Sequence, residues 1–540
     1  MKKRLSLPDI PEQDQTPLVQ SLLGMIEQLI ERVQQQDEEI ALLKDEINIL
    51  KGEKKRPVFK GGKLDKNNKT NATSKPRSKK RPGSDKKKKT QHLAIHDRQI
   101  VKPNVPVPPG SRFKGYRNFV VQDLTIEPHN ICYRLEHWLT PDHKSITAKL
   151  PVELNNRHFG PRLISYILYQ YHHCQTTQPL LLEQLHEWGI TLSAGQINQI
   201  LLQGKETFHA EKEDLLRAGL TASAYVTVDD SGARHQGNNG FVTHIGNHLF
   251  GWFQSTGSKS RINFLELLRA GKTDYVLSES ALLYMKQHQL PEKPYQQLYA
   301  LKGTACADKE DWLRRLDRLA ITNPRHQRIA TEGALLGSAL QQGLCDGLVI
   351  VSDDAGQFNI LQHALCWVHT ERLIHKMLPL NETHREEIKA IRSQIWTFYA
   401  DLKRYKNRPD QCQKAHLRQR FDEIFTQKTS YATLNRSLKR IHNNKEELLV
   451  VLDRPEIPLH TNGSETDIRD YVKKRKVSGG TRSDEGRRCR DTFASLKKTC
   501  RKLDISFWRY LTDRMGIGEQ PMASLSEIIY ERANDIATGY

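Results

Sequence analysis

A chain of 540 residues with 83 Lys and Arg against 63 Asp and Glu carries a formal charge of +20 and is only 37% hydrophobic. It has no apolar run of the roughly 18 residues that a membrane-spanning helix needs, and its opening, MKKRLSLPDIPEQDQ, lacks the apolar stretch of a secretory signal. Eight cysteines, all spaced singly with no CxxC pair, argue for a reducing, cytoplasmic setting and against a disulfide framework.

The charge is local. Residues 51–90 hold 17 basic and 3 acidic side chains, and residues 465–502 hold 13 and 6, so the remaining chain is close to neutral. Basic patches of this kind point to a polyanion, most often nucleic acid. The length implies about two to four structural units.

In chain order, residues 1–50 are acidic and contain a heptad at 22–50. Ile26, Val33, Ile40 and Ile47 occupy its a positions; Leu22, Leu29, Gln36, Leu43 and Leu50 occupy d. β-Branched residues at a with Leu at d favour a parallel two-stranded coiled coil, and Arg32–Asp37, Glu39–Lys44 and Glu46–Lys51 supply opposite charges across it. A homodimer is the expectation. Residues 51–110 are Lys-rich, punctuated by Gly and Pro and poor in large apolar residues, which predicts a disordered basic linker able to grip phosphates.

Residues 111–220 read as mixed, then helical. FVVQDLTIE and SITAKLPVEL suggest short strands; RLISYILYQYH suggests a helix. QPLLLEQLHEWGITLSAGQINQILLQG has helix–turn–helix spacing, with Gly189 in the turn and Ser193 as N-cap, so this region is a candidate for DNA recognition. His129, Cys132, His137 and His143 lie close in sequence, but one thiol without paired ligands makes zinc unlikely there.

Residues 221–515 carry the chemistry. AYVTVDD, NGFVTHIGN and HLFGWFQS read as three strands and RINFLELLRAG as a helix, the opening of a ribonuclease-H-like α/β core. The first strand is expected to end on Asp229 and Asp230. GLVIVSDDAGQF reads as another buried strand, ending on Asp353 and Asp354; ALCWVH follows as a strand candidate and TERLIHKML as a helix. Acids placed together at strand ends are costly unless cations neutralise them, and Mg²⁺ prefers such hard oxygen ligands. A third element, NGSETDIRDYVKKRKVSGG, reads as a helix capped near Asn462 or Ser464, with Glu465, Arg469, Val472 and Lys476 along one face. Helical insertions are expected at about 272–342 and 380–450, and residues 516–540 as a C-terminal tail.

Together these three blocks resemble the insertion-sequence-66 transposases of the DDE class, over roughly residues 20–515. The resemblance implies an N-terminal coiled coil, a basic linker, a helical DNA-binding region and a ribonuclease-H-like catalytic domain split by insertions. VDDSGARHQG places the first catalytic and metal-binding carboxylate on Asp229, SDDAGQF the second on Asp353, and the NGSETDIRDY block the third on Glu465, with Asp230 and Asp354 as alternates. Cys366, Trp367, His369 and Arg372 match the family's Cys-Trp-x-His-x-x-Arg block; Asn462, Arg469, Arg475, Lys476 and Gly480 match its third, and KLDISFWRYL its closing helix. The family's zinc-ribbon cysteine pairs are absent here.

The implied activity is metal-dependent cleavage and strand transfer of DNA, with two Mg²⁺ (or Mn²⁺) ions as cofactors and no zinc. Arg469, Lys473, Arg475 and Lys476 would bind DNA phosphates. The implied partners are element terminal repeats and target DNA, a second copy of the chain and accessory transposition proteins, in a bacterial, nucleoid-associated setting and not at a membrane. Two other readings fit the composition: a non-catalytic coiled-coil protein that binds or bridges DNA, and another ribonuclease-H-like nuclease or integrase.

Overall fold

The computed structural model describes residues 94–538, apart from 152, 153, 155–157, 346 and 519. The expected coiled coil at 22–50 and residues 51–93 of the basic linker lie outside the described residues. Contacts divide the chain into two units, Met1–Ile126 and Glu127–Tyr540. The described part of the first, 94–126, is extended and exposed and forms no helix or strand. The strand expected from FVVQDLTIE is therefore absent: it has no partner strand to supply ladder hydrogen bonds.

The second unit begins with a small hairpin, β1 (His137–Leu139) and β2 (Ser145–Thr147), and four helices, α1 (Pro161–Leu168), α2 (Gln178–Glu187), α3 (Ala194–Leu202) and α4 (Glu206–Thr221). α2 and α3 have the expected helix–turn–helix spacing. Gly189 adopts φ +78° in the turn, and Ser193 caps α3 in a reciprocal capping box with Gln196.

A five-stranded mixed sheet follows. β3 (Tyr225–His235), β4 (Asn238–Gly246) and β5 (Gly251–Thr256) form an antiparallel meander; β8 (Val349–Ser352) lies parallel to β3, and β9 (Gln362–Leu365) parallel to β8. The order is β5-β4-β3-β8-β9. Between β5 and β8 come α5 (Arg261–Leu268), β6 (Tyr275–Val276), α6 (Glu279–Gln287), α7 (Glu292–Tyr299), β7 (Ala305–Cys306), α8 (Lys309–Arg318) and α9 (Pro324–Gln341). After β9 the chain is helical: α10 (Trp367–His375), α11 (Glu382–Asn407), α12 (Gln411–Phe425), α13 (Ala432–Asn443), α14 (Lys445–Leu448), α15 (Asn462–Ser478), α16 (Asp484–Lys502), α17 (Phe507–Arg514) and α18 (Leu525–Thr538).

The sheet is covered on both faces, which explains its sequence. β8 reads Val-Ile-Val-Ser and every residue is buried, as a parallel strand sandwiched between layers requires. Val226, Val228, Ile245, Trp252 and Ile350 enter the main core with α4, α5, α9 and part of α16. On the other face, Val242 and Phe253 pack with Ile468 and Tyr471 of α15. Helices α11–α14 surround a separate core into which Trp367 is locked by an indole N–H bond to the Leu448 carbonyl (3.0 Å).

Four local expectations need correction. β3 does not end at its acids but runs on to His235, because β4 continues to pair with it; only the parallel partner β8 stops, its last register pair with β3 being Thr227↔Val351. The strand expected from ALCWVH is instead Gln362–Leu365, and the helix starts at Trp367, where the indole anchors it. Neither Asn462 nor Ser464 caps α15: Thr461 holds the N-cap position without a side-chain bond, and Ser464 donates to Thr227 of β3 (2.6 Å). The C-terminal segment is not a loose tail, since Leu525 and Ile529 of α18 are buried in the main core.

Candidate active site

Side-chain alternation sorts the paired acids. Along β3, Val226 and Val228 face the main core, while Thr227 faces α15 and receives the Ser464 hydroxyl. Asp229 shares the face of Thr227. Its direct antiparallel partner, His244, lies on that face too and contacts Asp467 of α15 (3.2 Å). Asp230 points the other way, where the Thr243 hydroxyl (2.6 Å) and the Gln357 amide (3.2 Å) donate to it.

Burial, with Asp353 and Asp230 close by, pushes the Asp229 pKa up to about 6, against a stabilising bond from the Asp230 backbone N–H. Burial likewise raises Asp230. Asp353 follows the last residue of β8 and accepts the Ala355 backbone N–H (3.2 Å). Its neighbour Asp354 is committed elsewhere, in an ion pair with Arg440 of α13. The sheet thus turns Asp229 and Asp230 to opposite faces with Asp353 close enough to raise both, while Asp354 is drawn to Arg440.

Glu465 sits in the first turn of α15, one residue after the Ser464 contact to β3. Arg372 donates to it at 3.1 Å, Arg469 at 3.2 Å, and His369 Nε2 lies 3.6 Å away. His369 links the groups: its charge lowers the Asp229 pKa and, with the Cys366 thiol beside it, its own pKa is raised. The three carboxylates do not converge as a trio. Among the described residues, the group of His, Cys, Asp or Glu whose ligand atoms all approach within 4.8 Å is His209, Glu485 and Cys489, elsewhere in the unit.

The helix carrying Glu465 is anchored by buried charge. Burial opposes ionisation of Asp467, but His244, Lys502 (2.7 Å) and Lys498 (3.2 Å) outweigh it and hold the carboxyl well below its usual range. After α15 the chain turns through Gly479 (φ +71°) and returns along the end of β3, where Gln236 N–H donates to Thr481 O (2.8 Å) and Thr481 N–H to Arg234 O (3.1 Å). A Cβ on Gly480 would lie 2.7 Å from Arg234 O, so glycine is needed for this approach.

The basic block around Glu465 divides into two populations. Arg469, Lys473 and Lys476 are exposed, and Arg475 is half-buried beside Gly232 of β3. Lys474 is buried, donates to the Tyr171 carbonyl (2.7 Å) and lies over the Tyr171 ring, and burial lowers its pKa to about 7. Lys498 and Lys502 are consumed by Asp467 and Asp470. Part of the local positive charge is therefore structural.

Two clefts flank the acids. One of about 350 Å³ is lined by Asp353, His369, Arg372, Lys376 and Arg440; another of about 400 Å³ by Lys259, Arg261, Arg328 and Gln357. Residues the sequence reading left without a site role are thus His369 and Arg372, legible only through the Cys-Trp-x-His-x-x-Arg block, Gln357, which lies within the SDDAGQF block, and Lys259 and Arg440, for which no local signal exists. His137 of the N-terminal His/Cys group is exposed in β1 and paired with Thr147 (2.7 Å).

Comparison with known proteins supplies the family. A family model described as "Transposase IS66 family" matches residues 306–488, a stretch that contains Asp353, the Cys366–Arg372 block and Glu465. The chain is also 42% identical over 321 residues to "Uncharacterized protein y4jO" of Sinorhizobium fredii (strain NBRC 101917 / NGR234), covering 59% of this chain and 100% of that protein. With the matched stretch holding two of the three carboxylates and its flanking basic side chains, the chain belongs to the IS66 family of transposases.

Proposed function

We propose that the chain cleaves DNA at the ends of a mobile element and joins the freed 3′ ends to target DNA, using Asp229, Asp353 and Glu465 on a ribonuclease-H-like sheet. One observation carries this reading: Asp229 is a carboxyl raised by burial and by Asp353, which His369 offsets only in part, on the sheet face shared with the Glu465 helix. Such a pair is costly unless a cation joins it. The all-oxygen donor set fits Mg²⁺ or Mn²⁺ better than a softer metal. When bound, two such cations would activate the attacking oxygen and offset charge on the leaving oxygen.

The chain's own side chains would do the rest. Arg372 and His369 hold Glu465 in place; Arg469, Lys473, Arg475 and Lys476 would hold phosphates, fixing the register of DNA without reading its sequence. In the first step water attacks the phosphorus, leaving a 3′-hydroxyl and a 5′-phosphate. In the second, that hydroxyl attacks a target phosphorus and releases a target 3′-hydroxyl. The α2–α3 pair is the candidate reader of the terminal repeat, and the coiled coil would pair two copies so that both ends are handled together.

The test is incubation of the full chain with element-end DNA and Mg²⁺, scoring nicked and joined strands. Asp353→Asn and Glu465→Gln should lose both products while retaining DNA binding; cleavage at wild-type rate by either variant would remove the assignment. The second reading, DNA binding without cleavage, is favoured by the ion pairs that hold Glu465 on Arg372 and Arg469. Its signature is wild-type chain that binds element ends and gives no metal-dependent nick.

A further inference from the structure

Three side chains with no part in the acidic clefts meet where α4 crosses α16. His209 Nε2 lies 3.4 Å from Glu485 Oε1, and Cys489 Sγ lies 3.9 Å from each of those atoms. A tetrahedral zinc with bonds of about 2.0–2.1 Å to N and O and about 2.3 Å to S has ligand–ligand edges of about 3.3–3.6 Å. The trio therefore needs to contract by only a few tenths of an ångström.

The surroundings support a ligand set. Glu485 and Cys489 are four residues apart and share one face of α16. His209 Nδ1 is engaged by the Thr492 hydroxyl (2.8 Å), which fixes the ring with Nε2 directed at the other two ligands, as supporting contacts in metal sites do. His209 and Cys489 are buried, whereas the Glu485 side chain is 48% exposed and leaves a route from solvent. Burial lowers the pKa of the imidazole against the pull of Glu485, which favours the neutral ring that a metal binds. Burial and Glu485 push the Cys489 thiol up to about 12, so it is protonated until a cation displaces the proton.

We propose that His209, Glu485 and Cys489 form a Zn²⁺ site with solvent in the fourth position. The thiolate and the carboxylate balance the ion's two charges. Binding forms a Zn–S bond and breaks the Cys489 S–H bond, and that proton leaves to solvent, so zinc binding weakens as pH falls. The ion ties the helix preceding the sheet to the helix that follows the Glu465 segment. The ligands are 280 and 4 residues apart in sequence, a spacing that no zinc motif predicts, and the absent ribbon-type cysteine pairs have no part in it.

The experiment uses the full chain, stripped of metal by a chelator and titrated with Co²⁺ as the coloured stand-in for Zn²⁺. Wild type should bind one equivalent with a thiolate-to-cobalt charge-transfer band and lose the band when Zn²⁺ is added. Cys489→Ser should abolish the band. Glu485→Gln, a change at a half-exposed position, should keep the band but weaken Zn²⁺ about tenfold or more. Cys132→Ser should change neither. No band in wild type, a band surviving in Cys489→Ser, or unchanged zinc affinity in Glu485→Gln would overturn the site, and none of these readouts depends on DNA cleavage.

Discussion

At the residue scale, the Asp229 carboxyl costs stability at neutral pH. The Asp229 pKa rises from 3.8 to about 6 on folding, so the folded state binds the proton more tightly than the unfolded one. Stability contributed by this group is then present below about pH 4 and lost as pH rises through about 6. Asp229→Asn should therefore raise the melting temperature of the metal-free chain at pH 7, by an amount equivalent to about 2–3 kcal/mol, and the gain should vanish near pH 4. Thermal melts across pH check this; a variant less stable than wild type at pH 7 contradicts it. The same reasoning explains what was legible in the sequence. Two Asp doublets on apolar runs are visible as a pattern, but which way each member turns is not. That choice follows from strand alternation and from the Arg440 pair on Asp354, an interaction 86 residues away.

At the element scale, α15 is the part whose placement decides whether the third carboxylate can serve. It is held by Ser464 on Thr227, by the Asp467 charge cluster and by the Gly479–Thr481 return along β3. Asp467→Asn leaves Lys498 and Lys502 buried with a weakened partner and should cost about 3 kcal/mol or more in denaturant unfolding. A loss under about 1 kcal/mol would show that the cluster is not what anchors the helix. Gly480→Ala should also destabilise, because the new Cβ would meet the Arg234 carbonyl. Helix periodicity predicted the face shared by Glu465 and Arg469, and their 3.2 Å pair is present. The capping residue was misread because Ser464 looks like a cap in sequence, while β3 competes for its hydroxyl with a well-formed side-chain bond.

At the scale of the whole molecule, the charge has two uses. Residues 51–90 supply the most concentrated basic run in the chain, and part of the second run is spent on internal pairs through Lys474, Lys498 and Lys502. Deleting 51–90 should weaken DNA binding uniformly across sequences and flatten its salt dependence. An unchanged slope of affinity against salt would show that the run does not touch phosphate. The three opening strands, the buried strand before Asp353 and the helical nature of both insertions lie close to what local patterns predict, since hydrophobic runs report burial directly; the sheet order is set by pairing between distant segments. The separate core under α11–α14 and the crossing of α4 with α16 depend on contacts between distant segments, which no local window contains. The central claim rests on cleavage itself. Wild-type chain with element-end DNA should give Mg²⁺-dependent nicked and joined strands, and Glu465→Gln should bind the same DNA and give neither; cleavage by Glu465→Gln at the wild-type rate would contradict the account.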